Sequence, residues 1–456
     1  MINKRFKIPV FKTNKKKLDS AAISTVVNEH KSFHTKYELN YDYFIGNHRI
    51  LYRHIEDLSK PNNKIISNLP AFTVDIRSGY FSGEPLTFTS DNQKQEKAIL
   101  DILEYNDFQD VNAELDKLSA IYGHAFLILW IDENGQLRLA AESPENIILV
   151  NDNSLAADPV GAIRYFEYKD TVTNNTILEL TVFNKDKIQY YTGSLSSLTL
   201  VKEEANYFGD IPVIEFIESQ ERKGCYEDAI SIVDAIESIM SSSVNEIEYF
   251  DNAYLHLKNL SSTEDEDIQD MKNNRVLLTD TDGEVEFITK SINDTYIQNV
   301  LNRLTNDFHK LTKTPALTDE SFSGNASGVA LKFKLFGLEK DMAKKEAKWR
   351  KSLQRMLELI HNRLAMIGQD YDYKRIKIMF TRALPTNALE QADLISKLSG
   401  IVSTETLLSQ LEFIEKPKEE YKKLQEEKHS NMPGLDYNFN NIEESEGIQM
   451  YDNNNE

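Results

Sequence analysis

Cysteine is nearly missing from this sequence. Cys225 is the one in 456 residues, so an intrachain disulfide is excluded and a reducing compartment suits the chain. Long apolar runs are missing too. The longest is "AFLILWI", Ala125–Ile131, far short of a membrane span and better read as a strand. The start, "MINKRFKIPVFKTNKKK", holds seven basic residues but no apolar stretch long enough for a secretion signal. Positive charge is short overall: 52 Lys and Arg stand against 73 Asp and Glu, a net of -21. A chain so acidic does not clamp nucleic acid over its whole surface, and any DNA contact must be local or weak. At 40% apolar and 27% charged, the composition is that of a folded, soluble protein with more than one domain.

Enzyme signatures are sparse as well. "GNASGVAL" has glycines at Gly324 and Gly328, too close for a phosphate loop, and no Lys-Ser/Thr pair follows. His30 and His34 in "HKSFH" lack the glutamate of a zinc protease and read as ordinary surface histidines. The run Glu264, Asp265, Glu266, Asp267 could hold Mg²⁺ for nuclease work, but adjacent acids splay outward, and a solvated loop is the plainer account. No nucleophile–base pair can be placed, and no cofactor is expected.

What is present is organisation. Residues 1–20 read as a flexible basic arm. Residues 21–225 alternate helical and strand patterns: helix from Ile23 to Leu58 with a break near Gly46, then "NKIISNLPAFTVDIRSGYFSGEPLTF" (Asn63–Phe88), punctuated by Pro70, Gly79, Gly83 and Pro85. The strands "HAFLILWID", "LRLAAESPENIILV", "AIRYFEYKD", "ILELTVFNKDKIQYYTG" and "IPVIEFIES" follow, with turns at Asn134-Gly135 and Asn174-Asn175. The fold class is α+β, mainly helical. From Tyr226 to Lys258, apolar residues three and four apart predict one helix, about 45 Å long at 1.5 Å per residue. Two strands meeting near Asp282-Gly283 come next, then a helix from Asp294 to Thr312, closed by Pro315. A further helix of almost forty residues, carrying Leu335, Leu338, Met342, Trp349, Leu353, Met356 and Ile360, has an apolar stripe broken only at Lys345. A strand in "YKRIKIMFTRAL" and two short helices, "NALEQADLISKLSG" and "STETLLSQL", complete the pattern. Residues 431–456, with seven Asn, six acids and no Lys or Arg, are expected to be disordered.

Charge is sorted by segment. Tyr226–Asp270 holds twelve acids and one base, and Gly328–Arg355 holds nine bases and three acids. Each could be a solvated face. Together they form one acidic and one basic element.

On "YDYFIGNHRIL" (Tyr41–Leu51), Asn63–Phe88, "VNEIEYFDNAYLHLK" (Val244–Lys258), "FSGNASGVALKFKLFGLE" (Phe322–Glu339) and "RALPTN" (Arg382–Asn387), the chain resembles the portal (head–tail connector) proteins of tailed double-stranded DNA bacteriophages, of siphophage type. The resemblance runs from about Tyr41 to Leu411. It implies a ring, usually of twelve subunits, at one vertex of the virion capsid, assembled in the host cytoplasm, through which double-stranded DNA is packaged and ejected. The expected partners are the terminase large subunit, the head–tail adaptor, and major capsid and scaffolding proteins, with no membrane. Residues 21–225 become the wing, 226–259 and 293–314 the stem helices, and 260–292 the clip. Residues 315–327 become the tunnel loop, 328–368 the long helix behind it, 369–386 a wing strand and 387–430 the crown.

The resemblance assigns sites accordingly. The tunnel loop places Asp319, Glu320, Ser321, Phe322, Ser323, Gly324, Asn325, Ala326, Ser327 and Gly328 beside DNA, where glycines permit backbone rearrangement. Glu237, Glu246, Glu248 and Asp251 become an acidic channel wall that repels the duplex, within a screening distance of about 10 Å. Glu264, Asp265, Glu266, Asp267, Arg275, Asp282 and Glu284 become the docking surface of the clip. Lys332, Lys334, Lys340, Lys344, Lys345 and Lys348 either lie on phosphates or pair with a neighbouring subunit. The rival readings are a scaffold or adaptor that threads no DNA, and a Mg²⁺-dependent nuclease.

Overall fold

A computed structural model describes residues 8–15, 17–58, 60–169, 171, 176–250, 254–258, 269, 284–288, 294–316, 333–382, 393, 395–408, 411, 414 and 417–430. They fall into two compact units, Met1–Leu384 and Pro385–Glu456.

The first unit opens with strand β1 (Phe11–Thr13) and helices α1 (Ser20–Lys31) and α2 (His34–Ile45). Asp19 caps α1 by accepting from the Ala22 N–H at 2.8 Å. Gly46, with φ of 84°, ends α2 where the sequence breaks its helical pattern. Asn63–Phe88, read from sequence only as punctuation, holds helix α3 (Leu69–Ser82), with Asn68 accepting from the Ala71 N–H at 3.2 Å and Pro70 in the first turn. There Pro70 lacks only an N–H that the helix start does not use. β2 (Thr87–Thr89), α4 (Gln93–Tyr105) and α5 (Phe108–Tyr122) follow, then β3 (His124–Ile131), β4 (Leu137–Glu142), β5 (Ile147–Asp152), β6 (Pro159–Lys169), β7 (Thr176–Phe183), β8 (Lys187–Ser194), β9 (Ser197–Ala205) and β10 (Val213–Ile217). The α5–β3 turn requires glycine at 123: φ is +92°, and a Cβ there would sit 2.3 Å from the Arg222 carbonyl oxygen.

Six strands form a sheet in the order β1-β5-β6-β7-β8-β9, with β1 parallel to β5 and the other pairs antiparallel. β10, β3 and β4 form a second sheet. One apolar core lies between the larger sheet and α1–α2, taking in Tyr37, Ile163, Val182, Val233 and Phe308. Another surrounds Trp349, whose ring meets Phe81 and Phe216 edge-on at centroid distances of 5.1 and 4.8 Å.

Helix α6 (Ile230–Phe250) is shorter than the expected Tyr226–Lys258, because Tyr254–Lys258 is strand β11, paired antiparallel with β12 (Glu284–Ile288). The sequence pattern misleads there, since "YLHLK" continues the helical spacing while also alternating as a strand does. The turn expected at Asp282-Gly283 lies outside the described residues. Helix α7 (Asp294–Thr312) matches its expected bounds and packs against α6. Helix α8 (Phe336–Met366) is the long helix. β13 (Lys377–Met379) pairs antiparallel with β2, joining the far end of the unit to its beginning. The second unit contains α9 (Thr404–Leu408), capped by the Ser403 hydroxyl, and α10 (Pro417–Ser430), which the pattern did not single out. Of the expected helix at 387–400, residues 393 and 395–398 are helical and 387–392 and 394 lie outside the described residues, as does all of 431–456. No helix among the described residues is long and apolar enough to cross a membrane.

Candidate functional site

The excursion from α6 through β11 and β12 to α7 starts from a mount on the first unit. Along α6, Glu237, Ser241 and Asn245 recur every four residues and so share a face. That face receives a strap, Asn63–Ser67. The Ser67 N–H donates to Glu237 Oε1 at 2.9 Å, the Ile65 N–H to Ser241 Oγ at 2.9 Å, and the Asn63 N–H to Asn245 Oδ1 at 2.7 Å. Every second strap residue meets every fourth helix residue, the two chains running in opposite directions. Eight helical residues advance about 12 Å, which four strap residues cover only when nearly fully stretched. Backbone donors without a sheet partner thus find acceptors one helical turn apart.

Glu237 also accepts from His48 Nδ1, while His48 Nε2 donates to the Tyr43 carbonyl at 2.8 Å. The Tyr43 carbonyl and an ionised Glu237 carboxylate both accept, and with these partners the ring carries both protons. Burial alone would lower the His48 pKa, but the Glu237 hydrogen bond reverses this and raises it. Tyr43 stacks on His48 at 4.5 Å and donates to Asp234, which also accepts from Arg49 at 3.0 Å.

This mount corrects the acidic-wall expectation. Glu237 is fully buried and faces the strap, so it lines no channel of the chain. Glu248 is exposed and accepts from Asn63 Nδ2 at 2.6 Å. Glu246 is half-buried, and Asp251 lies outside the described residues. Nearer the base, Glu227 meets Lys36 at 3.0 Å and Asp228 meets Lys223 at 2.6 Å. Among the described residues, then, the acids at the base of the block, Glu227, Asp228, Asp234 and Glu237, are answered within the chain.

The basic element holds a second correction. Lys345 falls on the buried stripe of α8 between Met342 and Trp349 and is 2% exposed. Its ammonium pairs with Asp116 of α5 and with Glu218, just after β10, and lies 5.0 Å from the Phe81 ring and 5.3 Å from the Trp349 ring. Burial would lower the Lys345 pKa, but the two carboxylates outweigh it and raise it, so the group stays charged. Buried within its own chain, it offers no exposed charge to DNA or to a neighbouring subunit. Its stripe position gave the signal: a lysine where the pattern demands an apolar residue must find buried partners. The acids that answer it, Asp116 and Glu218, are far away in sequence and were missed, as was Arg77.

Of the other lysines, Lys334, Lys340 and Lys344 are exposed, and Lys348 is half-buried, donating to Gln220 Oε1 at 3.1 Å. Lys332 lies outside the described residues, as does the tunnel-loop segment from Asp319 to Gly328. Of the clip residues only Glu284 is described; exposed at the end of β12, it pairs with Lys258 at 2.8 Å. Glu264, Asp265, Glu266, Asp267, Arg275 and Asp282 lie outside, and with them the metal-holding alternative. Among the described residues no group of three His, Cys, Asp or Glu is placed to hold a metal.

His30 and His34 are not the surface pair their spacing suggests. His30 is buried, and both rings reach the Tyr165 hydroxyl, at 2.8 and 2.9 Å. Burial, aided by the nearby His34 and His124, lowers the His30 pKa to about 3. Close by, burial would raise the Glu215 carboxyl, but Arg222 at 2.6 and 2.7 Å and His124 at 2.7 Å hold it at about 2.

Residues 23–434 match the family described as "Phage portal protein, SPP1 Gp6-like". The portal protein of Clostridium phage phiCD119 is 25% identical over 410 residues, covering 85% of this chain and 90% of its own. That of Bacillus phage SPP1 is 25% identical over 391 residues, covering 81% and 77%. Among solved structures, a chain from the neck of an empty gene transfer agent particle aligns with a TM-score of 0.47 at 12% identity, covering 75% of this chain and 89% of its own. One from the virion of a native gene transfer agent aligns at 0.46 and 11%, with the same coverage.

Proposed function

The chain belongs to the phage portal protein family, SPP1 Gp6-like, and from that premise we propose that twelve copies close into a ring at the unique vertex of a phage capsid. Double-stranded DNA enters through this ring during packaging and leaves through it during ejection. The family is a structural class rather than an enzymatic one. The ring assembles in the host cytoplasm with major capsid and scaffolding proteins. Residues 260–292 dock the terminase large subunit and then the head–tail adaptor, and residues 315–327 meet the DNA.

The observation that carries this reading is the path of the chain. α6 leads away from its mount, β11 and β12 pair beyond it, and α7 returns to enter residues 315–327 directly. α7 suits a wall that DNA slides past. Its exposed residues include the uncharged Thr295, Gln298, Asn299, Asn302 and Asn306, beside Asp294, Tyr296, Arg303, Lys310 and Leu311. Lys310 stands 3.1 Å from Asp307, and Arg303 stands 3.8 Å from the same carboxylate. Every phosphate neutralised by a protein cation adds a counterion-release gain that moving DNA must give back, so an amide surface leaves the duplex free to travel. The acidic contribution narrows to Glu246, Glu248 and Asp251. On α8, Lys340 and Lys344 remain as surface charges for a neighbouring subunit, a contact that would help close the ring.

The test joins imaging to packaging. Negative-stain images of the purified chain should show annuli with an axial hole, and Gly324→Pro or Gly328→Pro rings should assemble normally yet yield heads without DNA. A chain that stays monomeric at every concentration, or particles that lack it at the tail vertex, would sink the reading. Filled heads from the proline variants would remove the loop's role alone.

A further inference from the structure

Arg77 lies near the middle of α3, 4% exposed, where a cation needs full compensation. Nη2 donates to Glu218 Oε1 at 2.7 Å and to Asp341 Oδ2 at 2.7 Å, and Nη1 donates to the Thr312 carbonyl at 2.9 Å. Burial opposes its charge, but Glu218 and Asp341 raise its pKa further. Two of these partners bracket one stretch of chain. Thr312 is the last residue of α7, and its carbonyl belongs to the end of a helix, where a cation is favoured. Asp341 lies in the second turn of α8. A single guanidinium therefore holds the chain where it leaves the returning stem helix and again where it enters the long helix.

Two further features tighten this grip. Lys313, next after α7, has φ of +56°, a left-handed conformation that costs a side-chain-bearing residue about 1–2 kcal/mol and normally favours glycine. The lysine at that position reaches Asp341 Oδ1, the second oxygen of the carboxylate that Arg77 holds. One turn along α8, Lys345 pairs with Glu218, which Arg77 also binds. Arg77, Lys313 and Lys345 face Asp116, Glu218 and Asp341, three cationic side chains against three carboxyls.

We propose that Arg77, with Lys313 and Asp341, is a clamp that fixes both ends of residues 314–340 to the wing helix α3, so that force on the intervening segment is taken by the wing and not by the stem. Arg77 is a positioning residue: it touches no DNA and sets where the segment that meets DNA begins and ends. This rests on the reading of residues 315–327 given above.

The test compares assembled rings of the wild type, Arg77→Lys and Lys313→Gly by hydrogen exchange, and counts filled heads. Arg77→Lys keeps the charge but cannot span three partners. The amides of Phe308–Thr312 and Leu338–Met342 should exchange at least tenfold faster together, with β6 and β7 unchanged, and filled heads should fall at least tenfold. Lys313→Gly relieves the left-handed strain, so its melting temperature should hold or rise while the same two segments loosen. That combination cannot come from a merely stabilising role. Unchanged exchange at both ends, or faster exchange throughout the wing, overturns the clamp. Loosened ends with normally filled heads overturn its part in DNA passage, and the Gly324→Pro result tells whether the loop reading has failed as well.

Discussion

Helix α6 and the long helix α8 carry opposite charge, and each turns one ionisable residue away from solvent. They do so by different means. Glu237 of α6 is the first acceptor in a row, taking a backbone N–H from the strap and a proton-bearing nitrogen of His48, with Ser241 and Asn245 continuing the row below it. Lys345 of α8 is instead the centre of a compact ion cluster sealed by Phe81 and Trp349. The first arrangement spreads modest hydrogen bonds along two helical turns. The second concentrates charge where no water can replace a lost partner. A segment's charge count therefore says little about its surface until the partners of each residue are known.

The sharpest way to break this comparison is at Lys345. Lys345→Met leaves the buried Asp116 carboxylate with the Ser82 hydroxyl at 2.7 Å and no cation, and it should lower unfolding free energy by about 3–5 kcal/mol in a denaturant titration. Lys344→Met, one residue away and exposed, should shift it by no more than about 0.5 kcal/mol. Equal effects would mean that Lys345 is not internal. Next in size, Glu237→Gln should cost about 1–3 kcal/mol by removing a charged acceptor from His48 and the strap. Ser241→Ala, which removes a neutral rung, should cost about 1 kcal/mol, read as faster exchange at the Ile65 amide alone.

The smallest but most diagnostic contrast is in pH. His48 has a raised pKa, so its contribution is fully present below about 6.5 and is lost as pH rises through the folded value. His30, lowered to about 3, contributes fully above about 6.5 and progressively less as pH falls toward 3. The stability difference between wild type and His48→Gln should shrink with rising pH. That between wild type and His30→Gln should shrink with falling pH. Parallel slopes would contradict the opposite protonation states read from their partners.

Much of the architecture was legible locally. Gly46 ends a helix, the run of strands from His124 onward holds, and α7 begins and stops where its pattern does. The "LRLAAESPENIILV" run is two strands in two sheets, because Pro144 and its neighbours turn the chain between β4 and β5. β9 escaped notice because "SLTLVKEEA" is an exposed edge with no buried face to impose alternation. The sites divide the same way. Lys345 announced itself by interrupting an apolar stripe, but no local signal ties Arg77 to Thr312 or Ser67 to Glu237, partners that lie 235 and 170 residues apart. Such pairings follow from the packing of distant elements, and only an assembled backbone brings them together.

The strap on α6 has a built-in limit to its reach. Two residues of a stretched chain advance about 6.6 Å, whereas four residues of a helix advance about 6.0 Å, so the two rulers slide past one another like a vernier. After three matched marks the slippage exceeds about 1 Å, a large error for a hydrogen bond. Asn63 makes the last coincidence with Asn245 and reaches on to Glu248 only through its side-chain amide. Beyond that point the strap offers α6 no further matched rung, and α7 is the helix that packs along it.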